Sequence, residues 1–495
     1  MNGPEVYAVI FAVGPGKKDL NVIWTGSDDG LVHVTQDGGK TWKNVTPKEM
    51  PEFGRVTQID ASAFSTGAAY VSVKRPLLDD KAPYIFKTTD FGKSWTKIVN
   101  GMRADAFVHA VREDPSRKGM LYAATQHGVY LSYDDGAEWQ PFMLNMPDVP
   151  VSDLVVEANE LVISTHGRGF WVLDNVAPLR QAKPEVTAGD AYLFSPPVVI
   201  RSGTASTISW YLKKPAARLT LEILDSAGAL IRKYEPDSVA SAGAGAAGAD
   251  TANAGGGGGR VDGAPPLPNA AGLNRYSWDL RGSPAKTFPG MILWGASTNG
   301  PQVPAGRYTV RLSADAVKLS QPMIVKRNPL ITDVSEADMR AQFIMASKIR
   351  DRVTEANQAI IDIRNVKAQV LDREKKVQDA KLKETGDKLA ANASDVEKDV
   401  YQVKNQSGQD PLNFPIRVNN RLASLLSMVE RGDGRPNNNV GEILATLSGE
   451  LKGYTTALDK VWKTDLAAFN AELKRLGLTP VDPKCAKAEG CSFVP

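Results

Sequence analysis

The polar residues with the clearest chemical potential lie in one glycine-rich turn. His166 and Arg168 follow a β-rich run and precede an aromatic run, and Gly167 and Gly169 alternate with them. Glycine at such positions lets another backbone or a ligand approach closely. Three interpretations stay open: the two side chains satisfy carbonyl groups of a neighbouring sheet, they contact a ligand, or they take part in catalysis. We carry them forward as candidate ligand contacts.

The other histidines extend this pattern only in part. His127 precedes Gly128 at a comparable place in the preceding repeat, so it is a third candidate ligand contact and the feature could belong to the repeat itself. His33 and His109 have no Cys, Asp or Glu nearby at metal-ligand spacing. The sequence therefore predicts no metal site, and no cofactor is expected.

A repeated motif must position these residues. Residues 35–42, 88–95 and 132–139 read TQDGGKTW, TTDFGKSW and SYDDGAEW, which share the pattern [ST]-x-D-x-G-x-x-W. The aspartates are 53 and then 44 residues apart, a period typical of one four-stranded propeller blade per repeat. Residues 1–180 are therefore predicted to be blades of a β-propeller.

The motif is predicted to be structural. An aspartate at the tip of a hairpin can accept hydrogen bonds from backbone N–H groups, the glycine permits positive φ, and the tryptophan offers an apolar face to neighbouring sheets. Ligand or metal contact by the aspartates is the alternative. The motif residues are Asp37, Gly39, Trp42, Asp90, Gly92, Trp95, Asp134, Gly136 and Trp139.

Composition excludes several classes of function. The chain has 495 residues and a net charge of +3 from 59 basic and 56 acidic residues, so a nucleic-acid partner is not indicated. No segment is apolar enough to span a membrane, and the apolar start at residues 6–13 is typical of a buried strand rather than a signal peptide. Cys485 and Cys491 are predicted to form a disulfide, although two free thiols or a weak metal site fit equally.

The rest of the chain changes character twice. Residues 185–330 contain short alternating strands that predict an immunoglobulin-like β-sandwich, interrupted by a loop rich in Gly and Ala at 238–262 that is predicted to be disordered. Apolar residues then recur every three or four positions over residues 333–480, which predicts an α-helical bundle. Ser335 and Asp338 form a capping-box signature at its start, and residues 481–495 form a tail.

Further segments carry a resemblance to a known family. Residues 161–174 read LVISTHGRGFWVLD, residues 288–294 read FPGMILW and residues 303–310 read VPAGRYTV. With the three repeats, these segments resemble a bacterial family of sortilin-like or glycosyl-hydrolase-like Asp-box (BNR) repeat β-propeller proteins, and the likeness covers nearly the whole chain. In that family the Asp-box is structural, at the blade periphery.

The resemblance implies more than the fold. Members are usually about twice as long and begin with an export signal and the early blades. The family therefore implies that residues 1–180 are the C-terminal blades of a larger propeller, that the remaining blades come from a longer product or a partner chain, and that the protein is periplasmic or extracellular.

Two functions from different classes follow. The first is an exported, non-catalytic protein that binds or scaffolds a peptide or a glycan. The second is a sialidase-like glycoside hydrolase with its active site on the propeller axis, which requires an arginine cluster, an activated tyrosine and acidic partners. No spacing selects such a set from the candidate loop residues, which are Arg55, Arg103, Arg112, Arg168, Asp28, Asp29, Asp105 and Glu113.

Overall fold

The computed structural model describes residues 8–202, 205–236 and 265–484. The chain divides into two compact units, Met1–Lys183 and Pro184–Pro495. The predicted disordered loop at 238–262 and the cysteine pair Cys485 and Cys491 lie outside the described residues.

The first unit is built from four antiparallel sheets in which the strand order follows the chain. The first three sheets contain β1 to β4, β5 to β8 and β9 to β12, and the fourth contains β13 to β15. The strands are β1 (Ile10–Pro15), β2 (Ile23–Ser27), β3 (Val32–Thr35), β4 (Lys43–Asn44), β5 (Arg55–Ala61), β6 (Ala69–Arg75), β7 (Asp80–Thr88), β8 (Thr96–Lys97), β9 (Val108–Glu113), β10 (Leu121–Thr125), β11 (Gly128–Ser132), β12 (Gln140–Pro141), β13 (Val151–Glu157), β14 (Glu160–Thr165) and β15 (Phe170–Leu173). A 3-10 turn, Pro76–Leu78, joins β6 to β7, and helix α1 (Ala177–Gln181) follows β15.

Neighbouring sheets of this unit pack face to face. One apolar core lies between the first and second sheets, another between the second and third, and another between the third and fourth. The approach is close: a Cβ on Gly26 would lie 2.2 Å from Cγ1 of Val56 in the next sheet. Four-stranded meanders that stack through their faces are the repeating unit of a β-propeller. The predicted propeller-type repeat is confirmed at this level of strand order and packing.

The two end sheets differ from the inner ones. Phe11 and Val13 of the first sheet and Phe170 and Val172 of the fourth are exposed, with Phe170 at 79%. Among the described residues, no hydrophobic core joins the first sheet to the fourth. The end sheets therefore each leave an apolar face open.

The second unit begins with two sheets that share one core. A three-stranded sheet has the order β16-β18-β21, and a five-stranded sheet has the order β17-β23-β22-β19-β20. Trp210 and Trp278 of the smaller sheet are buried in the core with Leu221 and Val310 of the larger one. Helix α2 (Pro184–Ala188) precedes the strands, which are β16 (Ala191–Leu193), β17 (Val199–Ile200), β18 (Ser206–Leu212), β19 (Leu219–Leu224), β20 (Leu230–Tyr234), β21 (Gly272–Trp278), β22 (Gly306–Ala314) and β23 (Val317–Lys326).

The predicted helical C-terminal region is confirmed. The helices are α3 (Glu336–Lys376), α4 (Ala380–Val400), α5 (Val418–Val429), α6 (Val440–Val461) and α7 (Ala467–Arg475), with a 3-10 turn at Asp410–Leu412 and a π-helical segment, Trp462–Leu466, between α6 and α7. The Ser335 side chain accepts a hydrogen bond from the backbone N–H of Asp338, and the Asp338 side chain accepts one in return. The predicted capping box at the start of α3 is therefore confirmed.

The sheets and helices of the second unit are joined rather than separate. Phe288, Met291 and Leu293, which follow β21, are buried in the same core as the faces of α3 to α6. The buried Arg201 guanidinium pairs with Asp433. The segment after β21 thus supplies apolar side chains to the helices within one compact unit of the chain.

Candidate ligand-binding face of the first unit

Strand direction separates the predicted residues into two groups. The turns at 28–31, 76–79, 126–127 and 166–169 lie at the end where β5, β9 and β13 begin, which we call the histidine end. The motif aspartates follow β3, β7 and β11 and therefore lie at the opposite end. All four histidines of the chain lie at or near this end. His127 and His166 lie in its turns, and His33 and His109 are the second residues of strands β3 and β9, which start there.

The motif aspartates are occupied by their own turns. Asp90 accepts hydrogen bonds from the Ser94 backbone N–H at 2.9 Å and from the Ser94 hydroxyl at 2.6 Å. These bonds favour the carboxylate and lower the pKa of Asp90 to about 2. Asp37 and Asp134 accept equivalent bonds from Thr41 and Glu138. The turns thus use these carboxylates locally.

The three motif tryptophans differ in the hydrogen-bond partner of the indole N–H. The Trp95 indole N–H donates to the Val45 carbonyl at 2.6 Å, and that of Trp139 donates to the Ile98 carbonyl at 2.9 Å, so each links its sheet to the preceding one. Trp42, in the first sheet, instead donates to Gly39 of its own turn at 3.2 Å and is 43% exposed. Trp42 lacks the contact to a preceding sheet that the other two tryptophans make.

His127 lies in an ionic cluster at the histidine end. Its Nδ1 lies 3.0 Å from Asp148 Oδ1, and its Nε2 lies 3.5 Å from Asp105 Oδ2. Arg103 donates a bidentate pair of hydrogen bonds to the Asp105 carboxylate, from Nε to Oδ1 at 3.0 Å and from Nη2 to Oδ2 at 2.9 Å. The Arg103 hydrogen bond holds the pKa of the Asp105 carboxyl below its usual range. Each charge in this cluster has a partner of opposite sign.

His166 and Arg168 lie in the turn between β14 and β15, where Gly167 and Gly169 adopt φ of 85° and 67°. The His166 backbone N–H donates to the Pro150 carbonyl at 2.9 Å, which ties the turn to the chain entering β13. Both side chains are exposed. The backbone is therefore held while the two polar side chains stay accessible.

A strip of basic side chains connects this turn to the sheets beside it. The strip consists of Arg55, Lys74, His109 and His166. Lys74 Nζ lies 3.0 Å from His109 Nδ1, and the rings of His109 and His166 have centroids 6.2 Å apart. Arg55 is directly opposite Lys74 in the β5–β6 register and extends over the Phe11 ring of the first sheet, 4.9 Å from its centroid.

The charges of the strip are not compensated. Burial, and then the nearby Arg55, lower the pKa of Lys74, and burial followed by the Lys74 charge lowers the pKa of His109 to about 4. Within the part of the chain that the structure describes, neither Arg55 nor Lys74 forms an ion pair. Like charges directly opposite on neighbouring strands are destabilising. The strip thus maintains repulsion that no described carboxylate relieves.

Other residue types that a sialidase-type site requires, a tyrosine and an arginine, are held by neighbouring carboxylates in this unit. Tyr70 is buried and its hydroxyl donates to Asp135 at 2.6 Å, with Glu113 at 3.4 Å. Burial, with the hydrogen bond to Asp135, raises the pKa of Tyr70, so it is the opposite of an activated nucleophile. Arg112 lies between Asp60 at 3.6 Å and Asp153 at 3.2 Å.

Lys74 and His109 are not among the predicted ligand contacts. His109 lacks metal-ligand spacing in the sequence, and among the described residues no group of three His, Cys, Asp or Glu side chains is arranged to hold a metal ion. The available signal was local: Lys74 and Arg55 stand at the end and the start of successive strands, so a hairpin register would have paired them. The contact from Lys74 to His109 crosses sheets and carried no sequence signal.

Comparisons with known proteins find a likeness only among solved structures. No protein-family model matches the chain, and no curated protein matches it. Solved structures with some likeness include YCF48 from Cyanidioschyzon merolae, at 16% identity over 43% of this chain and 69% of that one, with a TM-score of 0.27. YCF48 bound to a D1 peptide is 14% identical over 64% of this chain and 82% of that one, also with a TM-score of 0.27.

A glycoside hydrolase family 74 enzyme also appears. The xyloglucanase from Xanthomonas campestris is 12% identical over 41% of this chain, with a TM-score of 0.27, and the match spans 35% of the xyloglucanase. TM-scores of this size show a remote likeness only. Among the described residues, every helix is too short or too polar to cross a bilayer.

Proposed function

We propose that the first unit is a propeller-type binding module that recognises a peptide or glycan ligand at its histidine end, without catalysing a reaction on it. The observation that carries this proposal is the strip of Arg55, Lys74, His109 and His166, which spans neighbouring sheets and in which no described carboxylate compensates the charges of Arg55 and Lys74. His166 and Arg168 contribute exposed polar groups on a turn fixed to Pro150. Charged groups held without a partner by a rigid scaffold are typical of a ligand site.

A glycoside hydrolase fits the geometry less well. Such an enzyme needs a carboxyl group with a raised pKa as general acid and a second carboxylate across the scissile bond. At the histidine end, Asp105 has a lowered pKa because Arg103 binds it, and Asp148 is bound by His127. Glu113 is buried beside Tyr70 at the other end of β9. These contacts favour binding over hydrolysis.

The open faces of the end sheets extend the proposal to partners. Inner sheets bury both faces, whereas the first sheet exposes Phe11 and Val13 and the fourth exposes Phe170 and Val172. Trp42 lacks the inter-sheet bond that Trp95 and Trp139 make. We infer that further blade-type sheets, from a longer product or a partner chain, cover these faces. The resemblance to sortilin-like proteins supports a periplasmic or extracellular location and an immunoglobulin-like assignment of the paired sheets in the second unit.

The test is a binding screen with matched variants. The full chain is applied to peptide and glycan arrays, and hits are re-measured with a His166→Ala/Arg168→Ala double variant and with Lys43→Ala, an exposed basic residue on β4. We expect the double variant to lose binding and Lys43→Ala to keep it. Turnover of any bound glycan, or binding unaffected by the double variant, would contradict the proposal.

A further inference from the structure

We propose that the basic strip is an anion site that binds the acidic side chains of an extended peptide. This inference rests on the proposed function and names the chemical class of its ligand. The strip is Arg55, Lys74, His109 and His166, and no sequence motif accounts for the proximity of these four residues.

The first step is the arrangement of charge. Arg55 and Lys74 are cross-strand partners, so their side chains leave the sheet side by side. An arginine and a lysine held together without a described carboxylate form a site in which one bound carboxylate relieves the repulsion and gains two charge-assisted hydrogen bonds. Burial and then the Arg55 charge lower the pKa of Lys74, which agrees with this repulsion between the two cations.

The second step is the role of His109. An ammonium group has donors only, so the Lys74 Nζ–H donates to His109 Nδ1 at 3.0 Å and the ring proton resides on Nε2. The low pKa of His109 keeps the ring neutral at physiological pH. His109 therefore orients the lysine, its own Nε2 is buried, and the positive charge of the pair stays on Lys74.

The third step distinguishes a peptide from a compact anion. The strip is a line of separate groups, with the His109 and His166 rings 6.2 Å apart and Arg55 on the far side of Lys74. Side chains on one face of an extended peptide are about 6.6 Å apart, since each residue advances about 3.3 Å. The acidic side chains of an extended peptide can therefore reach both the Arg55–Lys74 pair and the exposed His166, whereas a single phosphate would contact the strip at one point.

The experiment uses the full chain and a fluorescein-labelled hexapeptide of alternating glutamate and serine. Fluorescence anisotropy gives the dissociation constant for the wild type, Lys74→Met, Lys74→Arg and the control Lys43→Met, which removes the same charge from an exposed site on β4. We expect Lys74→Met to weaken binding about tenfold or more. Lys74→Arg and Lys43→Met should bind nearly as the wild type does, and added salt should weaken wild-type binding.

A second measurement uses only the wild type, so it does not require that any variant folds. Histidine ring signals in the NMR spectrum of the wild type should shift for His109 and His166 when the hexapeptide is added, and that of His33 should not. Equal binding by Lys74→Met, or hexapeptide addition without these shifts, overturns the inference. Binding of a trigalacturonate in place of the hexapeptide also overturns it and assigns the strip to acidic glycans.

The two proposals fail in different ways. If an array ligand binds through His166 and Arg168 while Lys74→Met binds it unchanged, the proposed function stands and the anion site is wrong. If no array ligand depends on the histidine end, both are wrong.

Discussion

The low pKa of His109 predicts a specific loss of stability in acid. The ring is half-buried beside the Lys74 ammonium, and both burial and that charge disfavour the imidazolium, which lowers the pKa of His109 from 6.5 to about 4. In the unfolded chain the ring takes up a proton at its ordinary pKa. Between these two values the unfolded state therefore binds more protons than the native state, and the free energy of unfolding falls as the pH falls.

The magnitude follows from the separation of the two pKa values. At about 1.4 kcal/mol per pKa unit, the full shift corresponds to about 3 kcal/mol. Because the ring is partly open to water, solvent screening reduces the expected loss to about 1–2 kcal/mol. The loss begins as the pH falls through the unfolded value and is complete below the native value.

The assay compares the wild type with His109→Gln. Glutamine keeps an acceptor for Lys74 but cannot take up a proton. Urea unfolding of both proteins from about pH 8 to about pH 4 should show the wild type losing about 1–2 kcal/mol more than the variant. The direct readout is an NMR titration of the His109 ring, which should take up its proton well below pH 6.5, at about pH 4.

Lys74→Met provides the internal check. Since the Lys74 charge lowers the pKa of His109 after burial does, its removal should raise that pKa toward the ordinary value without reaching it. A His109 that titrates near 6.5 in the wild type, or an unchanged titration in Lys74→Met, would refute the reasoning about the basic strip.

Three further predictions test other parts of the molecule. Asp134→Ala removes the acceptor for the Glu138 N–H. Thermal unfolding should show that the first unit is destabilised by about 0.5–2 kcal/mol, while the ligand affinity of the folded protein stays unchanged. Phe170→Asp places a charge on the open face of the fourth sheet; sedimentation velocity should show concentration-dependent association in the wild type and less in the variant. Asp433→Ala leaves the buried Arg201 guanidinium without this counter-charge, so denaturant unfolding of the second unit should show a loss of about 3–5 kcal/mol in the free energy of unfolding. A loss near zero would contradict the buried pair.

The sequence by itself determined the features that depend on neighbouring residues. The three D-x-G-x-x-W turns recur because a hairpin tip needs an acceptor and a positive-φ glycine within a few positions, and the structure places Asp90 in such a turn. The same locality made the cap at Ser335 and the helical periodicity after it predictable. The turn holding His166 and Arg168 was visible for the same reason.

Only the tertiary structure decided which distant residues meet. Lys74 of the second sheet contacts His109 of the third sheet. Glu113, which the sequence places among the candidate loop residues, is buried beside Tyr70. Phe288, which follows β21, packs with the helices. These outcomes depend on how sheets stack and on which apolar faces find each other, and burial is non-directional, so no local pattern specifies its partner. The sequence identifies the charged residues, whereas the lack of a counter-charge beside Arg55 and Lys74 is a property of the fold.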